Sequence, residues 1–365
     1  MIVPVHARLV LACRATALRC LVICLVICLA VVVVSACSRT PEPAQFTGPT
    51  MGTTYHVTVS GADSLQERRG VQAAIDRVLV ETERHLSTYN DTSEIALLNQ
   101  DENRSWQDVS PTLFVVLQEA HEVSELTGGS FDVTVAPLLG LWGYESGGVG
   151  ASGQTTFKPP TSGQLEQARK SVGYAKLELR TVPRMSVRKS ASGMRLTVDG
   201  IAPGYAVDRI ATELRDLGHT DFIAEIGGEV RAAGQRPEGG PWLVAIEAPL
   251  ATQREPLVGL RLRDAAVSTS GDYRDARIDT EGHRYSHTID PRSGRTTSSA
   301  LTAVSVIDAN AIRADAYATA LMAMGTEAGL AWTQAQRVPA LFVERTAKPG
   351  EWRLLESPTF AEWRE

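Results

Sequence analysis

The stretch FIAEIGGEVRAAG, residues 222–234, sets two strand patterns, 222–226 and 229–233, in series with only Gly227-Gly228 between them. Further strand patterns follow at 242–247, 259–262, 265–268 and 301–307, and two more at 340–344 and 352–355 close the chain. Toward the start, residues 55–60 alternate like a strand, and 176–180 and 194–198 read the same way. Helical spacing interrupts these strands. Val71, Ile75, Val78, Leu79 and Leu86 mark a helix over 65–86, and 113–126 is a second, stopped by Gly128-Gly129. Others are expected at 164–172, 206–217 and 311–324. Helices and strands mix without a regular βαβ rhythm, so the predicted class is α+β rather than doubly wound α/β. Glycine, serine and proline dominate 143–163, which marks a long loop or the seam between lobes.

The beginning of the chain reads differently. Arg8, Arg14 and Arg19 form a basic start, and residues 21–34 are an apolar run too short for an ordinary membrane-spanning helix. Val34-Ser35-Ala36-Cys37 resembles the lipobox of bacterial lipoproteins. That resemblance implies cleavage before Cys37, a lipid on that residue, and a protein held on the periplasmic side of the inner or outer membrane. The alternative is an uncleaved anchor. The expected organisation is a signal over 1–36, a tether over 37–50 rich in proline, and one domain over 51–365.

All five cysteines lie at or before Cys37, so a chain cleaved there would have no disulfide, thiolate metal site or cysteine nucleophile. Removing the signal's three arginines takes the net charge from −6 to −9. A mildly acidic, unclustered balance argues against a nucleic-acid partner.

Several short stretches carry candidate chemistry. In SHTIDPRSGR, residues 286–295, alternation runs to Asp290 before Pro291 and Gly294 turn the chain, which places His287 at a strand tip. Read alone, that histidine is as readily a surface hydrogen-bonder. Met51-Gly52-Thr53 precedes the first of these strands, with a glycine that permits close backbone approach. Leu86-Ser87-Thr88-Tyr89 ends the first helix, where a tyrosine stacks on a flat ring or caps the core. In TGGSFDVTVAPLLGLWG, residues 127–143, Asp132 enters an apolar stretch. A carboxylate there needs a partner, or serves as a helix cap.

TVDGIAPGYAVD, residues 197–208, runs from a strand through Gly200 and Gly204 into a helix, a shape that suits a phosphate but lacks the P-loop spacing. STSGDY, residues 268–273, offers hydroxyls at a strand end. Asp315 and Thr319 stand four apart on one helical face. With a backbone carbonyl, waters and phosphate oxygens they suit Mg²⁺, although such a pair is also ordinary on a helix surface.

Taken in order, MGT, LSTY…SEI…N, TGGSFDVTVAPLLGLWG, GIAPGYAVD, IGGEVRAAG, STSGDY, SHTIDPRSG and ADAYATALMAMG resemble the ApbE family of FAD:protein FMN transferases, from Met51 to about Gly325. The resemblance implies an ApbE-like α+β fold, two lobes of mixed sheet and helices with FAD between them. It implies Mg²⁺-dependent cleavage of FAD, a phosphoester between FMN and a threonine of an acceptor flavoprotein (such as a membrane redox-complex subunit), and release of AMP. By the same resemblance Met51, Tyr89, Ser130, Phe131, Asp132 and Ile289 line the flavin nucleotide site. Asp315, Thr319 and the Gly200 carbonyl hold the metal, and His287 assists phosphoryl transfer.

Two positions depart from the family pattern: Thr197 and Pro203 stand where an aspartate and a lysine usually contact or support FAD. Asp199 lies two residues from Thr197 and is a doubtful substitute. A further metal-side acid of some members is replaced by Ala318. An FAD diphosphatase and a non-catalytic flavin-binding lipoprotein are the competing readings.

Overall fold

Eight strands form the main sheet, and neighbours in it are successive members of that sheet along the chain. They are β1 (Ala44–Thr50), β2 (Thr53–Val59), β3 (Phe222–Ile226), β4 (Glu229–Ala233), β5 (Ala265–Gly271), β6 (Leu301–Asp308), β7 (Ala340–Arg345) and β8 (Trp352–Glu356). All seven pairings are antiparallel. The computed structural model that shows this describes residues 42–144, 157–250, 252–272, 277–297, 300–348 and 350–365. The expected signal segment, Cys37, residues 145–156 of the expected long loop, and Tyr273 lie outside the described residues.

The helices occupy the connections. Between β2 and β3 come α1 (Leu65–Leu86), α2 (Glu94–Gln100), α3 (Pro111–Leu126), α4 (Ala136–Leu141), α5 (Ser162–Arg169) and α6 (Ala202–Asp216). Between β6 and β7 lie α7 (Ala311–Met324) and α8 (Thr326–Gln336). α1 begins in a capping box of Ser64 and Glu67, which satisfies two otherwise orphaned N–H groups. Its Val71, Ile75 and Val78 then pack with Ile210 and Leu214 of α6 against the inner residues of β1, β2 and β3.

Strand alternation divides the sheet into two faces. On β6, Val304 and Val306 join the cluster containing α3 and α7, whereas Ala303 and Ile307 join the cluster under the hairpin Trp242–Glu247/Pro256–Leu262. A fourth, smaller cluster gathers Leu138, Trp142, Leu165, Val172 and Ile289. Residues 43–365 hold together as one unit of mixed helix and sheet.

Two expectations are corrected. Residues 44–50, read as tether because of their proline and glycine, form β1, paired residue by residue from Ala44↔Val59 to Thr50↔Thr53. Ala44 and Phe46 are buried, and Gly48 is required where a Cβ would meet the Tyr55 ring at 2.7 Å. Residues 194–198 are not a strand. The Asn99 side chain takes the place of a neighbouring strand, accepting from the Leu196 N–H at 2.7 Å and donating to its carbonyl at 2.8 Å. Extended backbone with a side-chain partner looks like a strand in sequence but joins no ladder.

Candidate active site

One end of the main sheet collects the turns β1–β2 and β3–β4, the last residues of β5, and the segment leading into α6. Burial along β5 falls from complete at Ala265–Ser268 to partial at Thr269, Ser270 and Gly271, so the strand opens where it reaches this end. α7 crosses behind it and presents Asp315 and Thr319 from one face.

Asp315 is buried, and its Oδ2 accepts a hydrogen bond from the Gly204 N–H at 3.1 Å. A Cβ on Gly204 would lie 2.4 Å from the Ala311 carbonyl oxygen, so glycine is what lets α6 and α7 touch here. Gly200 meets Thr319 in the same way: an added Cβ would stand 2.8 Å from Thr319 Oγ1. That hydroxyl is 3.1 Å from Ser270 Oγ. The three residues expected on the metal side, Gly200, Asp315 and Thr319, are brought together.

Electrostatics sharpen the picture. Burial drives the Asp315 carboxyl up to about 7, with the Gly204 hydrogen bond opposing and Asp199 adding to the rise. Glu229, the first residue of β4, is pushed well above the usual carboxylate range, by burial first and by Asp315 second. Asp199 is also raised, chiefly by the protein packed around it, although the Thr88 hydroxyl donates to it at 2.7 Å and Thr197 assists. Its surface is nonetheless open to solvent.

Among the described residues no lysine or arginine offsets these three acids. Like charges held this way favour either protonation or a bound cation. Among the described residues no three carboxylate or imidazole groups converge closely enough to cage an ion unaided. A cation here would have few protein ligands, a carboxylate, a hydroxyl and a backbone carbonyl. That set fits Mg²⁺, which keeps several water or phosphate oxygens.

His287 lies just outside the short strand Ile289–Asp290, which pairs with Arg295–Thr296 and packs against α7. The strand expected over 286–290 is thus reduced to its last two residues, and just before them the Ser286 hydroxyl accepts the Thr288 N–H at 3.0 Å. The half-buried imidazole meets the Tyr144 ring edge-on at 6.2 Å. Trp142 Nε1 donates to the Gly294 carbonyl at 2.9 Å, which ties the end of the 127–143 stretch to the hairpin turn.

The family model described as "ApbE family" matches residues 51–342. The chain belongs to the ApbE family. It is 35% identical over 316 residues to the FAD:protein FMN transferase of Vibrio cholerae serotype O1, covering 87% of this chain and 92% of that one. It is 30% identical over 317 residues to the enzyme of the same name from Haemophilus influenzae, covering 86% and 90%. Among solved structures, the flavin transferase ApbE from Vibrio cholerae superposes with a TM-score of 0.76 at 33% identity, over 88% of this chain and 99% of that one. The apo flavinyl transferase ApbE of Pseudomonas stutzeri also gives 0.76 at 33% identity, over 88% and 96%.

The residues that the ApbE resemblance assigned to the nucleotide stand in different surroundings. Asp132 is a cap. Its Oδ1 accepts from the Thr134 N–H and hydroxyl at 2.8 and 2.7 Å, and its Oδ2 accepts from the Tyr174 N–H at 2.8 Å. Phe131 and Ile289 are packed into apolar clusters, which leaves their backbones rather than their side chains to meet a ligand. The Ser130 hydroxyl is buried without a hydrogen-bond partner among the described residues. Tyr89 is 65% exposed beside Thr88, and Met51 sits at φ 45° in the β1–β2 turn.

The two departures from the ApbE pattern also have local accounts. Pro203 occupies the first turn of α6, where a missing N–H leaves no intrahelical bond unmade. Thr197 Oγ1 accepts from the Asp199 N–H at 3.3 Å, so it supports Asp199, whose carboxylate does enter the acidic cluster.

Glu229 is the main residue that sequence reasoning missed. Its signal was present: an acid directly after Gly227-Gly228 at the mouth of an apolar strand. Asp272 was passed over too. It is buried beside Arg284 and Arg345, at 3.7 and 3.8 Å, and feels the charge of His287.

Proposed function

We propose that this chain is an FAD:protein FMN transferase that moves FMN from FAD onto a threonine hydroxyl of an acceptor flavoprotein, with Mg²⁺ as cofactor. The observation that carries the reading is the convergence of Asp315, Thr319 and Gly200 beside Asp199 and Glu229, an acidic pocket without a cationic side chain among the described residues. Mg²⁺ held by Asp315, Thr319 and the Gly200 carbonyl would supply neutralisation of charge on the phosphate oxygens.

The chain's own residues do the rest. His287 takes the proton of the acceptor hydroxyl as that oxygen bonds to the FMN-side phosphorus. The bond from that phosphorus to the bridging oxygen breaks, and AMP leaves with the bridging oxygen. Tyr89 presents an exposed ring at the rim on which a flat heterocycle can stack.

The reading extends to location. The basic, apolar and small-residue order of residues 1–37 supports export and lipidation at Cys37, on the periplasmic side of a bacterial membrane. Loss of radiolabelled palmitate from a Cys37→Ala variant expressed in bacteria is the outcome expected.

One incubation tests the activity: protein, FAD and Mg²⁺, with and without an acceptor bearing a target threonine. Flavin fluorescence on the denatured acceptor, with AMP in solution, is expected. Free FMN and AMP without acceptor would make the protein a diphosphatase, and unchanged FAD would make it a binder.

A further inference from the structure

α6 and α7 are joined at two points by hydrogen bonds running in opposite directions. Gly204 donates its N–H to Asp315, and one turn further along α6 the Asp208 Oδ2 accepts the Ile312 N–H at 3.0 Å. Gly204 and Asp208 are four apart on one face of α6, and Ile312 and Asp315 are three apart on α7. The residue at the ordinary capping position of α7, Asn310, makes no side-chain cap. Asp208 therefore supplies from another helix the acceptor that α7 lacks locally.

The second oxygen of Asp208 has a different partner. Its Oδ1 accepts from Arg231 at 2.5 Å, and the two side chains are only 18% and 11% exposed. Arg231 stands two residues after Glu229 on β4, so both project from the same face of the sheet. It is thus a cation placed within a side chain's length of an acidic site, and held elsewhere by Asp208.

We propose that Asp208 is a positioning residue of the acidic site: it fixes the rotation of α7 that presents Asp315 to Gly204, and it keeps Arg231 from neutralising the Glu229–Asp315 pair. The proposal rests on the reading of that pocket as a cation site. Removing the charge of Asp208 while keeping an acceptor for Ile312 releases Arg231 toward Glu229 and Asp315, where it competes with the metal.

The test measures Mn²⁺ binding to the full mature chain by electron paramagnetic resonance, which does not depend on turnover. Asp208→Asn is expected to weaken Mn²⁺ affinity by about 10–100-fold, the range seen when supporting residues around metal ligands are changed. Adding Arg231→Met to it is expected to restore most of the loss. Unchanged affinity in a folded Asp208→Asn variant overturns the proposal, as does a double variant no better than the single. Should Asp208→Asn not fold, Arg231→Met alone decides: equal or tighter Mn²⁺ binding supports the proposal, and weaker binding overturns it. Asp315→Asn serves as the control, since Mn²⁺ binding that survives it removes the cation reading itself and the proposal with it.

Discussion

Gly200 and Thr319 meet so closely that a methyl group on Gly200 would stand 2.8 Å from the Thr319 hydroxyl oxygen and 3.2 Å from its methyl carbon. One of the two must move if anything larger than hydrogen occupies position 200. Both are placed by different elements, the entry to α6 and the middle of α7, so the movement changes the pocket rather than a single side chain. Gly200→Ala is expected to cost about 1–3 kcal/mol of stability, as overpacking commonly does. It should also raise the Mg²⁺ concentration needed for half-maximal FMN transfer. Initial rates across a Mg²⁺ series check this, and an unchanged midpoint would show that Gly200 does not shape the cation site.

The acidic cluster makes a pH prediction for the metal-free protein. Asp315 is raised to about 7 and Glu229 well above its usual value, both above what the unfolded chain would show. The folded state therefore holds more protons than the unfolded state between roughly pH 4 and 7, and stability falls as pH rises through that window. Thermal melts in chelator from pH 5 to 8 should show this decline, and the double variant Asp315→Asn, Glu229→Gln should flatten it. Excess Mg²⁺ should oppose the decline, because a bound cation favours the charged forms.

His287 is expected to matter for chemistry and not for FAD affinity. Its removal by His287→Ala should lower the transfer rate by about 10²–10⁴-fold, the usual contribution of a general base. The FAD dissociation constant, followed by flavin fluorescence, should move only a few-fold. Transfer at the wild-type rate would falsify the base assignment.

Asp132 offers a clean separation of structure from ligand binding. Asp132→Asn turns an acceptor into a donor for at least one of the N–H groups it holds, Thr134 or Tyr174. A buried N–H left unpaired costs about 1–3 kcal/mol. Urea denaturation should register that loss while FAD affinity of the folded variant stays close to wild type. A large drop in affinity at unchanged stability would return the carboxylate to the nucleotide site.

Where a pattern depends on one element alone, it was legible. α1 follows from its apolar spacing, and Asp315 and Thr319 share a face because a helix puts positions four apart together. β1 was hidden because Pro43, Gly48 and Pro49 make a strand look like a linker, and only its pairing with β2 shows otherwise. Residues 194–198 misled in the opposite sense, since their partner is the side chain of Asn99 and no ladder forms. Glu229 and Asp208 belong to segments far from Asp315 in sequence, and no local spacing announces that a sheet turn and two helices converge on one pocket. Asp132 was legible as a cap or as a ligand contact, and its three hydrogen bonds show the cap.

β1 runs from Ala44 to Thr50 toward the β1–β2 turn, which lies at the same end of the sheet as Glu229 and the acidic pocket. The chain therefore enters the sheet about 20 Å from that end, the length of a seven-residue strand. Because β1 is an edge strand hydrogen-bonded along its full length to β2, that separation is rigid. The strand mistaken for slack is a stiff edge that fixes the distance between Ala44, where the chain enters the sheet, and the β1–β2 turn at the acidic end.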